Sequence, residues 1–246
     1  MPSRIAYGTD EFHFCDLRLP QSSPPHPVAV MVHGGFWRSK YGLAYLDPMC
    51  EALTVAGIAT WNIEYRRLGN PGGGWPGTFD DVADAVGHLA KIAGEFNLDL
   101  NRTIAIGHSA GGHLAFWLAS QNKILKSAIS LAGVLDLRRA YELQLSTTVV
   151  ADFLGGSPKE VPDRYQSASP IEHLPLGIPQ RLFHGTADSS VPFEISERYV
   201  HTAQLRGDDA ELITLHDAGH FELVDPQTKE FELVRQSARS LLGLVQ

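Results

Sequence analysis

Short apolar runs and amphipathic stretches take turns along almost the whole chain. Val28–Val32, Ile58–Ile63, Thr103–Ile106, Ala128–Leu131, Arg181–Phe183 and Leu212–Leu215 read as strands. The first is an uninterrupted apolar run, the pattern of a strand covered on both faces. Between them lie helical patterns: Tyr41–Ala56 closed by Gly57, a face of Phe79, Val82, Val86, Leu89 and Ala93, Phe193–Leu205, and a final stretch carrying Phe231, Val234, Ala238, Leu241 and Leu242. Phe12–Leu19 adds a further alternating, strand-like segment. This order predicts an α/β fold, a mostly parallel central sheet flanked by helices. The 246 residues fit a single domain spanning 1–246. The rhythm breaks only at Asp136–Pro179, where Pro158, Pro162, Pro170 and Pro175 interrupt short helical pieces. That segment is expected to be a small cap-like insertion at about 136–179, with apolar residues enough for one short helix.

Composition excludes several classes of function. Hydrophobic residues make up 43% and charged residues 20%, an ordinary globular balance. The formal charge is −8, and basic residues gather only in pairs such as Arg66–Arg67 and Arg138–Arg139. Nucleic acid is not an expected partner, since phosphate neutralisation needs a basic stripe. No apolar run approaches membrane-spanning length, so no membrane partner is expected either. The N-terminal stretch lacks the apolar region of a signal peptide, which gives a cytoplasmic expectation. Cys15 and Cys50 are too few for a disulfide scaffold and read as free, buried thiols. Outside the segments around Ser109, Asp188 and His220, no His-x-x-x-His spacing or His/Asp cluster marks a metal site, and no cofactor is expected.

The chemistry-bearing residues follow the predicted strands, where ligands bind in sheets of this kind. Gly107-His108-Ser109-Ala110-Gly111 fits G-x-S-x-G directly after Thr103–Ile106 and before a helix. This is the context of a nucleophile elbow, in which glycines let a serine project from a strained turn. Serine needs a base to remove its proton as it attacks. Asp188 follows the strand Arg181–Phe183, and His220 follows Leu212–Leu215, so acid and base arrive in the order Ser, Asp, His. His216 is the competitor for the base, but Gly219 frees the loop that carries His220. His13, His26, His88, His173 and His201 have no catalytic context, and His33 and His184 are expected to bond neighbouring loops. His108 is expected to point away from the nucleophile. Oxyanion donors are expected from the backbone of Ala110 and from Gly35 and Phe36 in the loop His33-Gly34-Gly35-Phe36-Trp37. Trp37, Trp75 and Phe221 are candidate pocket-lining residues.

Together these segments resemble the esterase and arylformamidase branch of the α/β-hydrolases. The aromatic-Trp pair after His-Gly-Gly is similar to that of kynurenine formamidases and related carboxylesterases, with Phe36 where formamidases often carry Tyr. The resemblance runs from about Pro27 to the final helix and implies a cofactor-free acyl-enzyme mechanism. It implies hydrolysis of small-acyl carboxylic esters, with arylformamidase activity on N-formyl aromatic amines as the alternative. A binding protein that kept the fold without turnover is the reading from another class. The partner is then a small-molecule ester or amide, and the small insertion and bulky Phe36-Trp37 pair predict preference for short acyl chains.

Overall fold

The computed structural model of the protein describes residues 1–244. The strands are β1 (Ser3–Ala6), β2 (Phe14–Arg18), β3 (His26–Val32), β4 (Ala59–Ile63), β5 (Leu98–His108), β6 (Ser127–Leu131), β7 (Gln180–Gly185) and β8 (Ala210–Leu215). The α-helices are α1 (Asp47–Val55), α2 (Gly77–Ile92), α3 (Ala110–Gln121), α4 (Leu137–Glu142), α5 (Val149–Leu154), α6 (Pro162–Ala168), α7 (Glu194–Leu205) and α8 (Lys229–Leu241). The strands form one sheet in the order β1-β2-β4-β3-β5-β6-β7-β8. β1–β2 and β2–β4 pair antiparallel, and every pairing from β4 across to β8 is parallel.

The central strands bury both faces, and their alternate side chains feed two separate cores. Val28, Val30, Val32 and Ala105 pack on one side with Val82 and Val86 of α2, Leu114 of α3 and Tyr199 of α7. Ala29, Met31, Ile104 and Ile106 pack on the other with Met49 and Leu53 of α1 and Phe231 and Val234 of α8. Cys15 and Cys50 are buried and free, one in each core.

Three elements differ from the sequence expectation. β5 begins at Leu98 rather than Thr103, because the polar stretch before Thr103 pairs with the start of β3 across a register shift at Pro27/Val28. The expected helix over 41–56 splits into a 3-10 turn, Leu43–Leu46, and α1, which starts afresh with Pro48 in its first turn. Proline lacks an N–H and fits that position without loss.

The short helical pieces expected over 136–179 are three α-helices and the 3-10 turn Pro170–His173, more than the single packed helix its apolar residues suggest. Pro162 and Pro170 start helical turns there rather than breaking them. Asp136 caps α4 by accepting from the Arg139 N–H at 2.9 Å. Val149, Val150, Phe153, Leu154 and Tyr165 are buried and continuous with the core of α2 and α3. The segment thickens one layer of the fold.

Candidate active site

β3 lies between β4 and β5, so the chain leaves it in one direction and returns on its other side. Loops diverge at such a switch point and leave a crevice at the strand ends. Val32 of β3 pairs with Gly107 of β5, so the His33–Trp37 loop and the Ser109 turn emerge side by side.

Ser109 sits between β5 and α3 at φ 58° and ψ −123°, a conformation that L-residues rarely hold. The chain tolerates it because Gly107 and Gly111 let backbone approach backbone. A Cβ on Gly107 would lie 2.1 Å from the Gly111 carbonyl oxygen, and one on Gly111 would lie 2.0 Å from that of Val32. The N–H of Ala110 opens α3 and has no carbonyl four residues back to bond within the helix.

Asp188 follows β7 in a turn that aims its carboxylate inward. Its Oδ1 accepts the N–H groups of Ser190 (2.7 Å) and Val191 (2.9 Å), and its Oδ2 accepts from His220 Nδ1 at 2.6 Å. His184 Nε2 lies 3.4 Å from the same oxygen while bonding the Val191 carbonyl at 3.0 Å. Burial alone would raise the Asp188 pKa. The hydrogen bonds from His184 and His220, the charge at His220 and the Val191 N–H outweigh it and hold the carboxyl well below the usual carboxylate range. With Nδ1 committed to Asp188, Nε2 remains as the basic nitrogen of His220. His216, the competing histidine, is exposed.

Gly35, Phe36 and Trp37 all hold positive φ (110°, 51° and 55°), turning the loop sharply back beside Ser109. A Cβ on Gly34 would lie 2.6 Å from the His108 carbonyl oxygen and 2.9 Å from Ser109 Cβ, so only glycine allows this approach. The far end of the loop is pinned by the Leu68 N–H to the Trp37 carbonyl and the Ser39 N–H to the Leu68 carbonyl, each 2.8 Å. Beneath it, buried Glu64 accepts from His33 Nε2 at 2.9 Å and pairs with Arg67 at 2.9 Å.

Ser109 and His220 line one cavity of about 590 Å³ with Gly35, Phe36, Tyr41, Tyr45, Pro48, His108, Ser190, Phe221, Val224, Asp225 and Pro226. Its walls are mainly aromatic and aliphatic, with no Lys or Arg among them. Phe221 stands at the mouth, largely exposed. Trp37 and Trp75 are not among the lining residues. Trp37 is fully buried, stacked on Phe153 at 4.7 Å, and its indole N–H donates to His113 Nδ1 at 3.1 Å. Trp75 packs on Phe79. The 136–179 segment contributes nothing to the lining either, so it does not cap this cavity.

His108 also departs from expectation. Instead of pointing away from the nucleophile, its ring lines the cavity 4.5 Å from the ring of His220. Tyr41, Tyr45 and His113 carry no sequence pattern that singles them out. Tyr45 and His113 act through hydrogen bonds to residues far away in the chain.

Among the described residues, no group of three or more His, Cys, Asp or Glu is arranged to hold a metal ion. None of their helices is long and apolar enough to cross a membrane.

The family BD-FAE matches residues 15–202. A probable isoprenylcysteine alpha-carbonyl methylesterase of Arabidopsis thaliana is 26% identical over 89% of this chain and 50% of its own length. A kynurenine formamidase of Aspergillus versicolor is 30% identical over 48% of this chain and 47% of its own length. The chain thus spans about half the length of these curated relatives. In fold it is similar to a truncated carbohydrate esterase from gut microbiota, with TM-score 0.87, 21% identity and coverage of 98% and 95% of the two chains. Esterase 2 of Thermogutta terrifontis, phosphonylated by sarin, superposes with TM-score 0.82 at 23% identity over 99% and 96%. With its mostly parallel eight-stranded sheet flanked by helices, the chain is an α/β-hydrolase and belongs to the BD-FAE family.

Proposed function

We propose that the protein is a serine esterase that cleaves carboxylic esters of small acyl groups through an acyl-enzyme. One observation carries the reading: strained Ser109 and Asp188-bound His220 share a cavity with Gly35 and Phe36. Ser109 attacks the ester carbonyl while His220 Nε2 takes its proton. Asp188 holds the ring orientation and stabilises the imidazolium. The N–H groups of Ala110 and of Gly35 or Phe36 receive the developing oxyanion, each worth about 10²–10³ in rate. His220 then protonates the leaving alcohol, and water repeats the sequence on the acyl-enzyme.

The mainly apolar cavity, with no Lys or Arg in its lining, fits neutral esters with an aromatic or bulky apolar leaving group. Phe36 beside the nucleophile supports a short acyl side. A second reading, arylformamidase, draws on the Aspergillus relative, a kynurenine formamidase. Labelling with a fluorophosphonate, read by peptide mass, should modify Ser109 alone and block hydrolysis of 4-nitrophenyl acetate. A protein that neither labels nor turns over any ester or N-formyl aromatic amine would be a binding protein of this fold, and the proposal would fail.

A further inference from the structure

We infer that Tyr45 and His108 form a hydrogen-bonded link that sets the oxyanion loop and the base loop against each other, making His108 a positioning residue of the reaction. This rests on the serine-esterase reading above. The Gly34 N–H donates to the Tyr45 hydroxyl at 2.5 Å, and that hydroxyl lies 3.0 Å from His108 Nδ1. His108 Nε2 lies 2.9 Å from the backbone carbonyl of His220. The directions are settled by chemistry. The His220 carbonyl only accepts, so Nε2 carries the hydrogen, and a neutral ring then leaves Nδ1 to accept the tyrosine hydroxyl hydrogen. The ring is neutral because burial, reinforced by the neighbouring His220, lowers its pKa to about 3. With both nitrogens engaged, His108 does not serve as the base.

One chain of bonds therefore runs from the loop expected to hold the oxyanion, through the residue before the nucleophile, to the main chain of the base. The three segments are far apart in the chain: Tyr45 and His108 are 63 residues apart, and His108 and His220 are 112. The Asp188 bond orients the His220 ring, and the His108 bond holds the peptide that carries it. Misplacing a base by about 1 Å costs on the order of 10²-fold in rate.

The test compares folded variants on 4-nitrophenyl acetate. His108→Leu should lower kcat about ten- to a hundredfold with KM within about twofold, since a lost transition-state geometry falls on kcat. His108→Gln, whose amide N–H can still reach the His220 carbonyl, should recover most of that loss. Tyr45→Phe should lower kcat about three- to tenfold. The double variant Tyr45→Phe with His108→Leu should fall no further than His108→Leu alone, because the two act through one chain. A kcat within twofold of wild type in folded His108→Leu, no recovery in His108→Gln, or losses that multiply would overturn the inference. If His108→Leu does not fold, an unchanged kcat in Tyr45→Phe overturns it. A wild-type protein without turnover or Ser109 labelling sinks the esterase reading itself, a separate result.

Discussion

Each residue of the proposed triad is held by a different local device, and that separates their mutational signatures. Ser109 depends on a backbone turn, Asp188 on two N–H groups, and His220 on a carboxylate. Ser109→Ala should abolish ester hydrolysis while leaving the denaturation midpoint unchanged, because the hydroxyl supplies attack and not packing. Asp188→Asn should lower kcat by about 10²–10⁴, since an amide favours the wrong imidazole tautomer. His220→Ala should lose about 10³-fold or more and His216→Ala little; steady-state rates on one activated ester decide, and a dead His216→Ala would reverse the assignment. Gly107→Ala tests the turn itself. The new methyl meets the Gly111 carbonyl, so the variant should lose stability by about 1–3 kcal/mol and most of its activity. Normal urea unfolding and full turnover in that variant would contradict the account of the elbow.

At the scale of elements, the 136–179 segment belongs to the core. Phe153 stacks on Trp37 and tilts against Phe79, while His113 bridges the Trp37 indole and the Ala168 carbonyl (2.9 Å). Phe153→Ala should therefore lower unfolding stability by about 3–5 kcal/mol. Assayed well below its melting temperature, it should keep the wild-type order of preference among acyl lengths. A changed order would return the segment to the role of a cap. The short-acyl expectation now stands on Phe36 and the loop it belongs to. The ratio of kcat/KM for butyryl to octanoyl esters should be at least roughly tenfold, about 1.4 kcal/mol in barrier. Phe36→Ala should narrow it by opening the acyl side, and a ratio unaltered in that variant would place the selectivity elsewhere.

The whole molecule should be sensitive to acid, and the sign follows from its buried rings. Burial, with His220 adding at His108, lowers His108 to about 3, and burial lowers His113 to about 4. An unfolded chain holds histidine near about 6.5. As pH falls below that value the unfolded chain binds protons first, so stability is complete above it and is lost progressively toward pH 4. Asp188 and Glu64 add to the same trend at lower pH. Burial alone would raise both, but their hydrogen bonds and nearby charges hold them below the usual carboxylate range. The two histidines together should remove on the order of several kcal/mol between pH 7 and 4.5. Urea midpoints at the two pH values measure this, and a flat or rising midpoint would refute it.

Sequence alone was enough for whatever is written in local pattern. Apolar runs bounded by turns marked the central strands, and the helical face of Phe79 to Ala93 marked α2. The order of three motifs after three strands pointed to Ser109, Asp188 and His220, because a strained turn or a freed loop needs glycine at fixed neighbouring positions. Patterns fade where contacts join distant segments. Nothing local distinguishes Tyr45 from any other tyrosine of an amphipathic stretch; its hydroxyl acquires a role only when parallel pairing of β3 and β5 brings Gly34 and His108 together. Trp37 looked like a pocket residue beside two glycines, yet positive φ at three successive positions turns it into the core. Prolines in 136–179 read as interruptions, although at a first turn proline is compatible with helix. Side-chain direction, and therefore which aromatics face the cavity, was decided only by tertiary packing, since it depends on how the loops cross at the switch point of the sheet.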